Sequence, residues 1–278
     1  MDNQLISATQ LHSQLEHKNL IILDVSMPPV GGAKIPTQGW PRSTIPNARR
    51  FDIAKDFSDL NSGLPHTMPN AQYFTQQAQK LGINKDSQLV VYDDIGIFSS
   101  ARSWWMFKAM GHTNIAILNG GLPAWITAGF PTTSAITLEH PQGNFIGDFN
   151  KNYFCNAEEV LHAITTASAT VLDARSASRF SGQEQDPRTG VRSGHIPKAL
   201  NLHYQSLQKK GFMLDQNELK QQFTAIGATK EPFIMSCGSG VTACILALAA
   251  EIIGYKKIKV YDGSWSEWGA NSSFPISP

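Results

Sequence analysis

The sequence predicts an α/β fold written twice, as two tandem domains that are each a mostly parallel sheet flanked by helices. Three observations carry that expectation. Short apolar runs bounded by turn residues alternate with segments of helical apolar spacing, the pattern of buried parallel strands joined by helices. The same landmarks recur in one order in both halves, which marks a duplication. The 278 residues suit two domains of ordinary size.

The elements follow in order. A strand is expected at 20–24 and its counterpart at 169–173, 149 residues later. A turn, Ser43-Thr44-Ile45-Pro46-Asn47-Ala48, matches Gly194-His195-Ile196-Pro197-Lys198-Ala199 at an offset of 151. Helical spacing of apolar residues covers 70–81 and 158–164. The strand at 89–93 matches that at 233–237, offset by 144, and the second is followed by a helical run over 243–253. Gly111, Gly120 and Trp125 match Gly254, Gly263 and Trp268, each offset by 143, and Phe-Pro closes both halves at 130–131 and 274–275. The expected organisation is a first domain over 1–138, a Pro- and polar-rich linker over 139–152 and a second domain over 153–278.

Composition narrows the function. A net charge of +1 argues against nucleic acid or anionic membrane held by bulk charge. The start has no basic and apolar leader, and the greasiest stretch, 244–250, is far shorter than a membrane span. Cys155, Cys237 and Cys244 are too few and wrongly spaced for a disulfide framework or an ordinary zinc site. A reduced, soluble, cytoplasmic protein is expected.

The halves differ most after the 233–236 run. There the second half has Cys237-Gly238-Ser239-Gly240-Val241-Thr242, whereas the first has Asp93-Asp94-Ile95-Gly96. Two glycines let the backbone fold around a side chain with amides aimed inward, and a helix N-terminus follows. Both stabilise a thiolate. A cysteine ending a parallel strand also lies where α/β sheets place their sites. Cys244, inside the apolar helix, reads as core, and Cys155 stands alone.

Two tandem units with Cys-Gly-Ser-Gly-Val-Thr in the second only resemble the two-domain rhodanese-like sulfurtransferases, over nearly the whole chain. The resemblance implies that Cys237 carries a persulfide between donor and acceptor. The loop residues Gly238, Gly240, Val241 and Thr242 would then lend amides to its charge. The Gly-Ser-Gly loop resembles the members that use 3-mercaptopyruvate, since thiosulfate-specific members carry cations where Gly238 and Ser239 stand. Arg179 and Arg188, nine apart, match the positions that take the donor's carboxylate and carbonyl, a task suited to a guanidinium fork. Arg192 is a substitute.

The same resemblance implies a Ser–His–acid relay of Ser239, a first-domain His66 and an acid, in a cleft between domains. The expected acid position holds Ala54, so Asp59 is the candidate, with Asp52 and Asp56 as alternatives. No metal or organic cofactor is implied. Thioredoxin, a small thiol or cyanide is the implied acceptor.

Other readings stand beside this one. A cysteine phosphatase needs an arginine six residues after its nucleophile, and position 243 is alanine. A thiosulfate sulfurtransferase, and a non-turnover sulfur carrier or redox sensor, are the alternatives. His195 and the tryptophans 104, 105, 125, 265 and 268 read as turn and core residues.

Overall fold

In the computed structural model, residues 4–27, 43–134 and 140–278 are described. The expected end of the first domain, 135–138, and the expected linker start, Glu139, lie outside them. The chain forms two compact units, one of 1–58, 69–150 and 210–212, the other of 59–68, 151–209 and 213–278. Chain order and unit membership therefore differ at two short segments.

The first unit contains β1 (Leu5–Ile6), α1 (Ala8–His12), β2 (Leu20–Asp24), β3 (Arg49–Arg50), α2 (Ala71–Lys80), β4 (Gln88–Tyr92), α3 (Ser100–Ala109), β5 (Ile115–Leu118) and α4 (Gly121–Thr127). Its sheet runs β1-β5-β4-β2-β3, and each pairing is parallel. Burial on both faces explains why the strands read as unbroken apolar runs: Leu89, Val90 and Val91 of β4 are fully buried. Asn70 caps α2 by accepting the Tyr73 amide, which starts the helix at the residue the periodicity marks. The segment 210–212 joins this unit by close backbone approach. A Cβ on Gly96 would lie 2.6 Å from the Gly211 Cα, so both positions need glycine.

The second unit repeats the plan. It follows β6 (Phe154–Cys155), α5 (Ala157–Thr166), β7 (Thr170–Asp173), α6 (Ala177–Phe180), β8 (Leu200–Asn201) and a 3-10 turn (Tyr204–Leu207). The short strands β9 (Gln208–Lys209) and β10 (Phe212–Met213) come next in sequence. Then come α7 (Gln216–Ala225), β11 (Phe233–Ser236), α8 (Ala243–Ile252), β12 (Ile258–Tyr261) and α9 (Ser264–Trp268). The sheet order β6-β12-β11-β7-β8 is that of the first unit, again parallel. Asn156 with Glu159 and Asp215 with Glu218 form capping boxes that start α5 and α7.

The central strand of each sheet, β4 or β11, leads into a helix that is buried nearly all round, α3 or α8. That fixes the turn between them. Trp104, Trp105, Trp125, Trp265 and Trp268 are core residues with at most 1% exposure, as expected for packing groups. His195 bridges to Ser277, stacks on Phe180 and reaches its carbonyl with Nδ1 at 2.9 Å. No helix among the described residues is long and apolar enough to cross a membrane.

Candidate active site

Cys237 follows β11 directly, at the C-terminal end of the central strand, where open α/β sheets place their sites. Its residue is 2% exposed. The turn is tied from behind by α9. The Cys237 amide donates to Ser264 Oγ, and the amides of Trp265 and Ser266 donate to the carbonyls of Cys237 and Gly238. With its carbonyls held there, Gly240 takes a left-handed φ of 75° and the chain enters α8 with Thr242 at the N-cap. Among the described residues, the amides of Val241 and Thr242 donate to no protein acceptor. Two free amides at a helix N-terminus beside a thiol can hold an anion.

The first unit displays that arrangement occupied. Asp93 stands after β4 as Cys237 stands after β11, and Ser99 caps α3 as Thr242 caps α8. The Asp93 carboxylate accepts the amides of Phe98, Ser99 and Ser100 at 2.8, 2.9 and 2.8 Å, and the Ser99 hydroxyl as well. By helix register, the Phe98 and Ser99 amides are the counterparts of Val241 and Thr242. Burial lifts the Asp93 carboxyl above the usual carboxylate range, while its donors pull it back. The corresponding helix N-terminus thus holds a carboxylate in one unit and, after a turn one residue shorter, follows a cysteine in the other.

Arg179 and Arg188 meet over this loop. A Cβ on Gly238 would lie 3.0 Å from Nη2 of Arg188 and 3.8 Å from Nη2 of Arg179. Gly238 does not need a left-handed backbone; a side chain there would only require the Arg188 guanidinium to shift by a few tenths of an ångström. Arg179 lies in the last turn of the short helix α6, whose N-cap Ser176 accepts its amide. Arg188 follows an Asx turn in which Asp186 Oδ1 accepts the Arg188 amide at 3.0 Å. The Asp186 carboxylate also bridges both guanidiniums, 2.6 Å from Arg179 Nη2 and 3.1 Å from Arg188 Nη1. Sequence reasoning gave Asp186 no role; Asp-Pro-Arg was the available turn signal. Arg192 is placed otherwise. Its guanidinium donates to the carbonyls of Trp268, Gly269 and Phe274, so it fastens the C-terminal segment and is no substitute for the pair.

Ser239 is 3% exposed, and its Oγ lies 3.1 Å from Nδ1 of the half-buried His66. His66 adopts a left-handed φ of 63°, a strain that a functional position can carry. Its segment is fastened by the Met68 amide, which donates to Asp262 Oδ2 at 2.7 Å. The segment 59–68 lies in the second unit, so His66, expected as the first domain's contribution, stands in the same compact unit as Cys237. Asp59 shares the segment; its Oδ1 accepts the Asn61 amide and its carbonyl accepts Ser62 Oγ. Asp52 Oδ1 accepts the Lys55 amide, and both Asp52 and Asp56 belong to the first unit.

The other cysteines are buried elsewhere. Cys244 is within α8 with Sγ 3.3 Å from the Gly240 carbonyl, and burial pushes the Cys155 thiol far up, which keeps it protonated. A cavity of about 710 Å³ is lined by His162, Phe233, Ile258, Lys256 and Lys257. It lies at the N-terminal end of β11, a strand's length from Cys237, and is not the candidate site.

A model of the rhodanese-like domain matches residues 7–128 and 156–271. The chain is 36% identical over 275 residues to the 3-mercaptopyruvate sulfurtransferase of Escherichia coli K12, covering 98% of this chain and 97% of that one. It is 33% identical to the Arabidopsis thaliana protein named thiosulfate/3-mercaptopyruvate sulfurtransferase 1, mitochondrial, covering 98% of this chain and 77% of the relative. The crystal structure of SseA from Escherichia coli superposes with a TM-score of 0.86 at 33% identity, covering 95% of this chain and 99% of that one. With two matched domains and relatives alike along nearly the whole of this chain, it belongs to the rhodanese-like sulfurtransferases.

Proposed function

We propose that this sulfurtransferase takes sulfur from 3-mercaptopyruvate onto Cys237 and passes it to a nucleophilic acceptor. The observation that carries the reading is the pair Arg179 and Arg188 over Gly238, in the same loop as the thiol. A guanidinium pair there suits a donor whose carboxylate and carbonyl lie beside its sulfur.

The Cys237 thiolate attacks the donor's sulfur. An S–S bond forms as the C–S bond breaks, and the electron pair goes to the pyruvate enolate, which takes a proton at its methylene carbon to become pyruvate. Ser239 and His66, 3.1 Å apart, are suited to carry the proton released by the donor thiol towards that carbon. Asp59 would hold the His66 segment through its turn contacts. The negative charge of the persulfide faces the Val241 and Thr242 amides, with the backbone of Gly238 and Gly240 shaping the turn. In the second half-reaction the acceptor attacks the outer sulfur, and the Cys237 thiolate leaves. Thioredoxin, a small thiol and cyanide are acceptors of suitable chemistry. The three cysteines are all free, in keeping with a reducing cytoplasm.

Thiosulfate use is the second reading, favoured by the double name of the Arabidopsis relative. Steady-state comparison of the two donors on the wild-type chain separates them. The proposal expects a higher kcat/KM for 3-mercaptopyruvate; a higher value for thiosulfate overturns it.

A further inference from the structure

We infer that Asp186 sets the donor preference by fixing the charge of the arginine pair at one net positive unit. The inference rests on the proposed roles of Arg179 and Arg188 and goes beyond them.

The Asp186 side chain is 1% exposed, against 17% for Arg179 and 22% for Arg188. A carboxylate this buried is retained only with strong partners, and it has three: Arg179 Nη2, Arg188 Nη1 and the Arg188 amide. Its two oxygens are thereby directed away from solvent and into the pair. Two guanidiniums and one carboxylate sum to a single positive charge. The arrangement also orients the fork: Asp186 occupies Nη1 of Arg188, while Nη2 is the atom nearest Gly238. One edge of the guanidinium is held and the other faces the loop.

The charge has a consequence for the donor. 3-Mercaptopyruvate brings one carboxylate, which a net single positive charge balances. Thiosulfate brings two negative charges and would leave the site one short. Removing the Asp186 charge adds one positive unit a few ångströms from the donor. That favours a dianion about twice as strongly as a monoanion, because the Coulomb energy scales with ligand charge. It also frees both guanidiniums from their fixed orientation, which costs the carboxylate fork more than it costs a compact dianion. Both effects move the preference in one direction. Asp186 is thus a positioning and specificity residue that need not touch the reacting sulfur.

The test is the ratio of kcat/KM for 3-mercaptopyruvate to that for thiosulfate, measured in wild type, Asp186→Asn and the charge-preserving Asp186→Glu. The ratio is expected to fall about tenfold in Asp186→Asn, with the fall shrinking at high salt, and to stay near the wild-type value in Asp186→Glu. Asp186→Ser makes the same charge change if the Asn variant does not fold. A purely structural role lowers both donors together. A ratio within about twofold of wild type in a folded neutral variant, or an equal fall in Asp186→Glu, overturns the inference, these bounds being well inside the Coulomb effect expected at this range. Wild-type loading of Cys237 by 3-mercaptopyruvate is measured alongside. Failure of that loading sinks the proposed function itself, whereas loading with an unmoved ratio sinks only the part given to Asp186.

Discussion

His66 Nδ1 lies 3.1 Å from Ser239 Oγ, and the two residues, 173 apart in sequence, stand in one compact unit with Cys237. On the proposed function, this serine two residues from the thiol and this histidine held at φ 63° handle the proton as one unit rather than as two separate aids. Ser239→Ala and His66→Asn are each expected to lower kcat with 3-mercaptopyruvate about a hundredfold, and the double variant little further. Single-turnover pyruvate release measures this. Fully multiplicative losses would show that the two act independently.

The closeness of Arg188 to Gly238 predicts a split between donors. If Arg188 binds the donor's carboxylate as proposed, Arg188→Ala should lower kcat/KM for 3-mercaptopyruvate about 10- to 100-fold, chiefly through KM. Gly238→Val puts a Cβ 3.0 Å from Arg188 Nη2, so the guanidinium must shift, and should give a milder effect of the same kind. Initial-rate kinetics with both donors decide it; equal losses for thiosulfate would count against a carboxylate clamp.

Asp93 predicts a stability effect in the unit without the cysteine. Its carboxylate satisfies three backbone amides in a buried turn, and Asp93→Ala leaves them without a partner. The expected loss is about 3 kcal/mol, with Asp93→Asn intermediate, read from urea unfolding. A loss below about 1 kcal/mol would mean that water replaces the carboxylate at little cost.

His112 predicts a pH dependence. Its ring is buried against Phe107 and Phe145, and Nε2 lies 3.0 Å from the Ser87 carbonyl, an acceptor, so Nε2 carries the proton of the neutral ring. Burial holds its pKa below the usual histidine value. The unfolded chain therefore takes up a proton first as pH falls. Stability is full above about pH 6.5 and declines below it towards the depressed folded value. His140 and His203 are lowered by burial as well, so His112→Gln should flatten the slope of Tm against pH in part. An unchanged slope would rule His112 out as a contributor.

What the sequence made legible was local or repeated. The strand–Cys–glycine–helix order around Cys237 is one continuous segment, and its contrast with Asp93 could be read because the duplication supplies an internal comparison. The repetition also accounts for the two sheets sharing one strand order, although the order itself was not legible in the sequence. What escaped depends on tertiary placement. Asp262 holds the Met68 amide across 194 residues, a pairing that no periodicity encodes. Arg192 and Arg188 look alike in sequence, yet only the fold shows one guanidinium spent on carbonyls and the other over the loop. The segment bearing His66 belongs by sequence to the first repeat and by packing to the second unit, because its fastenings are to Asp262 and Ser239.

The central claim is that Cys237 alone accepts sulfur from a 3-mercaptopyruvate donor. Intact-mass analysis of the chain after brief exposure to 3-mercaptopyruvate, with pyruvate counted in parallel, tests it most directly. The account predicts a gain of one sulfur atom per chain, one pyruvate released for each, reversal by a thiol, and no gain in Cys237→Ser. Sulfur found on Cys155 or Cys244, or loading undiminished in Cys237→Ser, would contradict it.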